Sequence, residues 1–337
     1  MRRFARFGSA ATLALALTGT AFTGTALTAA PAAAHPHFHS HQHHHAQPAT
    51  YELHGDPGDP AGSKFEGIGV DRAQRTFYVS ETTGGEIHRG NVHTGKTEVW
   101  LDEGADGRAT ARGIAVDAQG RVYIAGGPNS VQSGGPDLWV YSPSGRLLAA
   151  LRVGIANPFL NDVTIGPDGA AYFTNSNAPV VFRVAQQRGS WKVSTWADAS
   201  RVIPIQTGFN LGGIVTSPDR RSLIVAQGNT GQLWRFDLRT RKASPVRIGD
   251  ANLGNADGLV RQGNTLLVVR NFDRVLTTLR LDAVGSRARL VSERATDPER
   301  VFTTAELARG RLLLVDSKFD EPVAAPPYQV VALTLHR

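Results

Sequence analysis

The sequence predicts an all-β fold, a six-bladed β-propeller with four-stranded blades, and three observations lead to it. One pattern recurs along the chain: a short strand, a turn rich in Asp, Gly or Pro, and a second strand of β-branched and aromatic residues. The copies follow one another at nearly equal intervals of roughly 45 to 51 residues, the length of one propeller blade. Six copies are present, and they begin at Glu66, Arg112, Asn161, Gly212, Asp257 and Thr303.

Each copy contains short segments with strand character. The second segments are nearly continuous apolar runs, typical of strands covered on both faces by neighbouring sheets. They lie at residues 76–79, 122–125, 171–174, 223–226, 266–269 and 312–315. Third strands are expected at 138–141, 180–184, 233–236 and 275–281, and fourth strands at 98–101, 147–151, 192–196 and 290–292. The sequence lacks the Gly-His…Trp-Asp signature, which disfavours the WD type of propeller.

The two ends of the repeat region predict how the ring closes. The sixth copy runs out at residues 328–336, which supply only its third strand. Residues 50–54, just before the first copy, can supply the missing fourth strand. Such pairing leaves no open seam in a chain that has no cysteine and therefore no disulfide. Residues 50–337 are accordingly assigned to the propeller domain.

The first 49 residues are predicted to lie outside the fold. Arg2, Arg3 and Arg6 precede an apolar run over 10–30, and the alanines at 32–34 offer a cleavage site, so residues 1–34 resemble a signal peptide. The expected location is therefore secreted, extracellular or in the cell envelope, with no membrane association after cleavage. Residues 35–49 form a histidine-rich linker with seven histidines at 35–45, which is either a metal-capturing tract or a solvated tail.

Charge and composition exclude several function classes. The formal net charge of +7 includes the three signal-segment arginines, and no run of lysine or arginine follows, so no nucleic-acid partner is expected. The absence of cysteine rules out thiol catalysis and thiolate metal sites. No Gly-x-Ser-x-Gly elbow occurs, which argues against a serine hydrolase.

The residues that begin the six copies are the candidate site, because in a propeller they reach the same end of the central channel. Their side chains include two carboxylates, Glu66 and Asp257, and the carboxamide of Asn161. Such oxygen donors are the ligands that calcium or magnesium prefers. The alternative is that these are turn residues, since Asp-Gly and Asn-Asp are common turn formers.

At this point the chain resembles the gluconolactonase family, also called the senescence-marker-protein or regucalcin-like family, whose members are six-bladed propellers. The resemblance covers roughly residues 60–335 and depends on the order and spacing of short segments. These are Phe65-Glu66-Gly67, Leu160-Asn161-Asp162-Val163 with Pro167-Asp168-Gly169, Ser217-Pro218-Asp219, and Ala256-Asp257-Gly258-Leu259.

The resemblance implies a divalent cation in the channel, calcium first, with magnesium, manganese or zinc as alternatives. Glu66, Asn161 and Asp257 would be its ligands, and Asp257 would also act as the base. Two positions depart from the family pattern. Gly212 stands where the family has a blade-four asparagine, so one cation ligand is missing unless water or the nearby Asn210 replaces it. Phe159 stands where sugar-lactone members have an arginine, which disfavours a sugar acid.

The function implied is metal-dependent hydrolysis of a lactone or another small ester. Arg112, Asn161 and Asn210 are the expected contacts to a small-molecule substrate, although Arg112 has an alternative role as an ion-pair partner of Glu66 or Asp257. The main rival is a non-catalytic propeller that binds a small molecule, glycan or protein at the channel mouth. A cation-dependent lyase would need a channel histidine as base, and the sequence does not supply one.

Overall fold

The computed structural model describes residues 49–56, 58–127 and 134–335. The predicted signal peptide and histidine-rich linker lie outside the described residues, except for Ala49. Within these ranges the chain forms six antiparallel sheets of four strands each, and the inner strands contact one another in a closed ring. The predicted all-β, six-bladed propeller is confirmed. No helix in the described ranges is long and apolar enough to span a membrane.

The strands of each blade are given from the channel outward. Blade one consists of β2 (Phe65–Val70), β3 (Thr76–Glu81), β4 (Ile87–Asn91) and β5 (Thr97–Leu101). Blade two consists of β6 (Ile114–Val116), β7 (Val122–Ala125), β8 (Leu138–Tyr141) and β9 (Leu147–Leu151). Blade three consists of β10 (Leu160–Ile165), β11 (Ala171–Asn175), β12 (Val180–Gln187) and β13 (Ser190–Asp198). Blade four consists of β14 (Leu211–Thr216), β15 (Ser222–Gln227), β16 (Gln232–Asp237) and β17 (Ala243–Pro245). Blade five consists of β18 (Ala256–Gln262), β19 (Thr265–Arg270), β20 (Val275–Leu281) and β21 (Ala288–Ala295).

The sixth blade is closed by the N-terminal strand. It consists of β22 (Phe302–Ala308), β23 (Arg311–Asp316), β24 (Gln329–Thr334) and β1 (Ala49–Glu52). β1 pairs antiparallel with β24, with Thr50 opposite Val331. The predicted closure by a strand near residues 50–54 is therefore confirmed, and no blade has to be completed by another chain.

The hydrophobic core is divided into six parts, one between each pair of neighbouring blades. Between blades one and two, for example, Tyr78 packs in one cluster with Ile114 and Trp139. The second strand of each blade is covered on both faces, which explains its apolar run; in β7 all four residues are buried. Each blade therefore shares its two faces with its neighbours, and the ring stabilises itself without disulfides.

Candidate functional site

The start residues of all six copies lie outside the regular strand ladder. In five blades the register between the first and second strands shifts across two residues, and these pairs begin with Glu66, Asn161, Gly212, Asp257 and Thr303. In blade two, Arg112 precedes β6. Such irregularities bend a strand and redirect its side chains, and they are common beside active sites. The repeat therefore turns one residue of each blade away from its own sheet.

In four of the six copies the residue after the start position is a glycine that faces the neighbouring blade at very short range. A Cβ on Gly67 would lie 2.2 Å from the backbone oxygen of Arg112, and one on Gly213 would lie 2.2 Å from that of Asp257. Glycine is needed at these two positions because the inner strands approach so closely. The recurring glycine of the sequence pattern thus draws the start residues together around the channel.

Five of the six start residues line one pocket of about 520 Å³ at the channel mouth. The pocket contains Glu66, Arg112, Asn161, Gly212 and Asp257. Thr303, the sixth, instead donates its hydroxyl to the backbone oxygen of Glu66 at 2.9 Å and lines the narrow part of the channel below. The structure therefore brings together the residues that the sequence proposed as cation ligands, together with Arg112.

The carboxylates of this pocket are difficult to ionise together. Removal from water raises the pKa of Asp257 to about 7, with a further contribution from Asp162 and an opposing one from a hydrogen bond to Asn271. Removal from water also raises the pKa of Glu66 well above its usual range, against the attraction of Arg112. Asp162, next to Asn161, has a pKa raised to about 6 by burial. A bound cation would favour the ionised forms of these carboxylates and lower their pKa values.

Arg112 is held in place from two sides. Its Nε lies 3.7 Å from Oε2 of Glu66, an ion pair too long to be a hydrogen bond. Its guanidinium carbon lies 3.8 Å from the ring centroid of Phe159, so the two planar groups stack. Nη1 of Arg112 is buried and has no partner in the described part of the chain. The arginine therefore pairs with Glu66, as one alternative proposed, and still offers a donor to a ligand.

Asn271 is a site residue that the sequence analysis did not predict. Its Nδ2 donates to Oδ2 of Asp257 at 2.9 Å, and it lines the same pocket. Because Oδ2 is engaged, Oδ1 is the oxygen of Asp257 left for a ligand. Asn271 follows β19, one residue past its end. A polar residue at the end of a second strand was the available signal, but it is equally compatible with a turn cap.

Asn210 lies in the pocket wall, but its side chain is committed to the loop before β14. Its Nδ2 donates to the backbone oxygens of Ser176 and Gln206 at 3.1 and 3.0 Å. Its Oδ1 accepts from the side chains of Gln227 and Asn229 at 3.1 and 3.2 Å. These contacts favour a role in shaping the mouth over the substitute-ligand and substrate-contact roles considered from the sequence.

Phenylalanines form the outer part of the pocket. Phe159 and Phe209 pack with ring centroids 5.1 Å apart, and Phe272 and Phe319 complete the apolar lining. Phe209 remains 62% exposed and Phe272 47% exposed. Exposed aromatic rings beside a few converging polar groups are typical of a small-molecule site.

The residues around the narrow channel fit a hard divalent cation. Oδ1 of Asn161 and Oδ1 of Asp257 lie 3.6 and 3.8 Å from the point where a Cβ on Gly212 would stand, so both oxygens border the same space. Glu66 has Arg112 as an ion-pair partner, whereas Asp257 is paired with no basic side chain in the described part of the chain, so a bound cation would supply positive charge beside it. Oxygen donors of this kind suit calcium or magnesium.

Comparison with known proteins establishes the fold but no family. No protein-family model matches the sequence, and no curated protein matches it. Among solved structures, a gluconolactonase from Xanthomonas campestris is 21% identical, with a TM-score of 0.56 and coverage of 80% of this chain and 86% of that one.

Two further structures are similar to the same extent. Regucalcin, a calcium-binding protein from Agrobacterium tumefaciens, is 17% identical with a TM-score of 0.57, covering 80% of this chain and 89% of its own. Virginiamycin B lyase from Staphylococcus aureus is 15% identical with a TM-score of 0.57, covering 80% and 82%. At such identities the likeness shows a shared fold, and one fold hosts several activities.

Proposed function

We propose that this protein is a divalent-metal-dependent hydrolase that opens a lactone or cleaves another small ester at the channel mouth. The observation that carries the proposal is the raised pKa of Asp257 together with its fixed orientation. Its pKa is raised to about 7, one carboxylate oxygen is fixed by Asn271, and the other borders the pocket. A base that titrates near neutral pH and is held in one orientation is suited to accept a proton from attacking water.

The remaining residues support this reaction in distinct ways. Glu66, Asn161 and Asp257 would hold the cation, which when bound supplies polarisation of the ester carbonyl. The free Nη1 of Arg112 points to an anionic oxygen as its ligand, either on the substrate or developing at the carbonyl. The phenylalanines that line the pocket favour an apolar group on the substrate. Phe159 stacks under Arg112, so an apolar lactone or ester is a better candidate than a sugar acid.

The experiment is a hydrolysis screen of the full chain against aliphatic, aromatic and sugar lactones and small carboxylic esters. We expect turnover of apolar members in millimolar calcium and its loss after chelation with EDTA. Absence of turnover across the panel with calcium, magnesium, manganese and zinc would contradict the hydrolase proposal.

Gly212 offers a direct way to strengthen the cation site. A side chain there would meet its nearest neighbours at 3.6 to 3.8 Å, which is ordinary contact. Gly212→Asn therefore adds a carboxamide oxygen beside Oδ1 of Asn161 and Oδ1 of Asp257, and the backbone does not have to move. We expect calcium to bind about tenfold more tightly, equivalent to about 1.4 kcal/mol, as measured by titration calorimetry.

The matched control is Gly212→Ala, which adds the Cβ without the oxygen and should leave calcium affinity close to that of the parent. An asparagine variant no tighter than the alanine variant would show that the cation does not lie beside Gly212.

A non-catalytic binding protein is the second candidate, and two observations favour it. Gly212 removes an oxygen donor that the resembled family carries, and Arg112 already compensates part of the charge of Glu66. In that case the phenylalanine-lined mouth would bind an apolar small molecule without turning it over. Binding of intact, non-hydrolysed esters in calcium would favour this second function.

A further inference from the structure

A second group of candidate ligands lies in blade one, away from the residues of the channel pocket. Glu81 ends β3, and Glu86 and His88 lie across the turn that leads into β4. One side-chain ligand atom from each residue lies within 4.8 Å of the other two. The hairpin geometry thus brings two carboxylates and an imidazole to one point.

Two side chains of this cluster, Glu81 and His88, are buried and carry polar atoms that have no hydrogen-bond partner among the described residues. His88 is fully buried and Glu81 is 1% exposed. Neither Nδ1 nor Nε2 of His88 has a hydrogen-bond partner in the described part of the chain, and neither does Oε2 of Glu81. Buried polar atoms are nearly always paired in folded proteins, so three orphaned atoms in one cluster point to a missing partner.

The spacing of the ligand atoms matches tetrahedral coordination. Nε2 of His88 lies 3.5 Å from Oε2 of Glu81 and 3.4 Å from Oε2 of Glu86, which is longer than a hydrogen bond. With metal–ligand bonds of about 2.0–2.1 Å, the edge of a tetrahedron is about 3.3–3.4 Å. Two of the three distances between ligand atoms are therefore close to the edge of such a tetrahedron, and the third, between the two carboxylates, is no longer than 4.8 Å. A fourth corner would remain for water.

Ligand type and charge narrow the choice of ion. An imidazole nitrogen suits zinc and related transition ions, whereas calcium selects oxygen. The ion pairs of Glu81 and Glu86 in the described ranges are both with His88. A protonated imidazole would balance one of the two carboxylates, and Arg108 acts on the partly exposed Glu86. With a neutral imidazole, one divalent ion balances both carboxylates.

We propose that Glu81, Glu86 and His88 form a zinc site that is separate from the channel cation site. The ion would join the end of β3 to the start of β4 and so fix the intervening turn. Phe65 pairs with Glu81 in the sheet, and its ring packs edge-on against His88 at 5.1 Å. Because Phe65 precedes Glu66, the zinc site would also steady the strand that carries a channel carboxylate.

The test is thermal unfolding of the full chain with and without micromolar zinc. A ligand that binds only the folded state raises the unfolding midpoint. Glu86→Gln is the main variant, since Glu86 is partly exposed and its amide is nearly isosteric, and His88→Gln is the second. His54→Gln, an exposed histidine in a loop, is the matched control. Every variant keeps the histidine tract at 35–45, so differences between them do not come from that segment.

We expect zinc to raise the midpoint of the parent and of His54→Gln. In Glu86→Gln, zinc affinity should fall by more than about 10–100-fold, the loss that follows removal of even an outer-shell partner. Asp257→Asn should retain the zinc-induced rise, which separates this site from the channel. A parent that zinc does not stabilise, or an equal rise in Glu86→Gln and His54→Gln, would overturn the proposal. If His88→Gln fails to fold, the absorption of Co²⁺ bound in place of zinc is compared between the parent and Glu86→Gln. Equal absorption in the two proteins would overturn the proposal.

Discussion

Asp257→Asn is expected to lower calcium-dependent ester hydrolysis by about 10²–10⁴-fold, the usual contribution of a general base. The amide can still accept the hydrogen bond from Asn271, but it cannot take a proton from water and it is a weaker cation ligand. The effect should appear mainly in kcat once calcium is saturating. Initial rates on the best ester of the screen, measured across a calcium series, separate the loss of the base from the loss of cation affinity.

The matched control is Asp250→Asn, the same change at an exposed aspartate outside the pocket. It should keep parental rates. Hydrolysis that survives Asp257→Asn at saturating calcium would assign the base elsewhere and leave the channel with a binding role only.

Tyr51→Ala is expected to destabilise the propeller by about 3–5 kcal/mol, the range for truncating a large buried aromatic side chain. Tyr51 is 3% exposed, its hydroxyl donates to the backbone oxygen of Val92 at 3.0 Å, and its ring packs edge-on against Phe77 at 5.0 Å. It therefore joins the closing strand β1 to blade one. The free energy of unfolding from urea titration measures the effect, and removal of residues 50–54 should cost still more.

Thr50→Ala serves as the control on the same strand, because Thr50 faces solvent. Its free energy of unfolding should change by no more than about 0.5 kcal/mol. A loss for Tyr51→Ala as small as that for Thr50→Ala would mean that β1 contributes through its backbone pairing alone.

The period of the sequence was sufficient to predict the propeller because each blade repeats the same burial pattern. The second strands predicted at 122–125, 266–269 and 312–315 all lie within observed strands, since apolar runs covered on both faces are strong signals. Two strands were not predicted. β17 has only three residues and none is buried. β4 reads Ile-His-Arg-Gly-Asn, a polar sequence whose burial depends on tertiary packing.

The candidate site was predictable only in part. The equal offset of Glu66, Asn161 and Asp257 in their repeats was enough to place them in one pocket. The contact of Asn271 with Asp257 was not, because it depends on the register between β18 and β19. His88 gave no signal either, since a single histidine in a polar strand does not reveal that Glu81, across the turn, approaches it together with Glu86.

The most direct test of the account is the calcium dependence of thermal unfolding of the full chain at pH 8. We expect millimolar calcium to raise the midpoint of the parent and of Asp250→Asn, and a hundredfold excess over Kd corresponds to about 2.7 kcal/mol. The rise should be absent in Asp257→Asn and Glu66→Gln, both still folded. In the parent it should shrink as the pH falls below about 7, where protons compete with calcium for Asp257. An equal rise in Asp257→Asn, or none in the parent, would contradict a cation site in the channel.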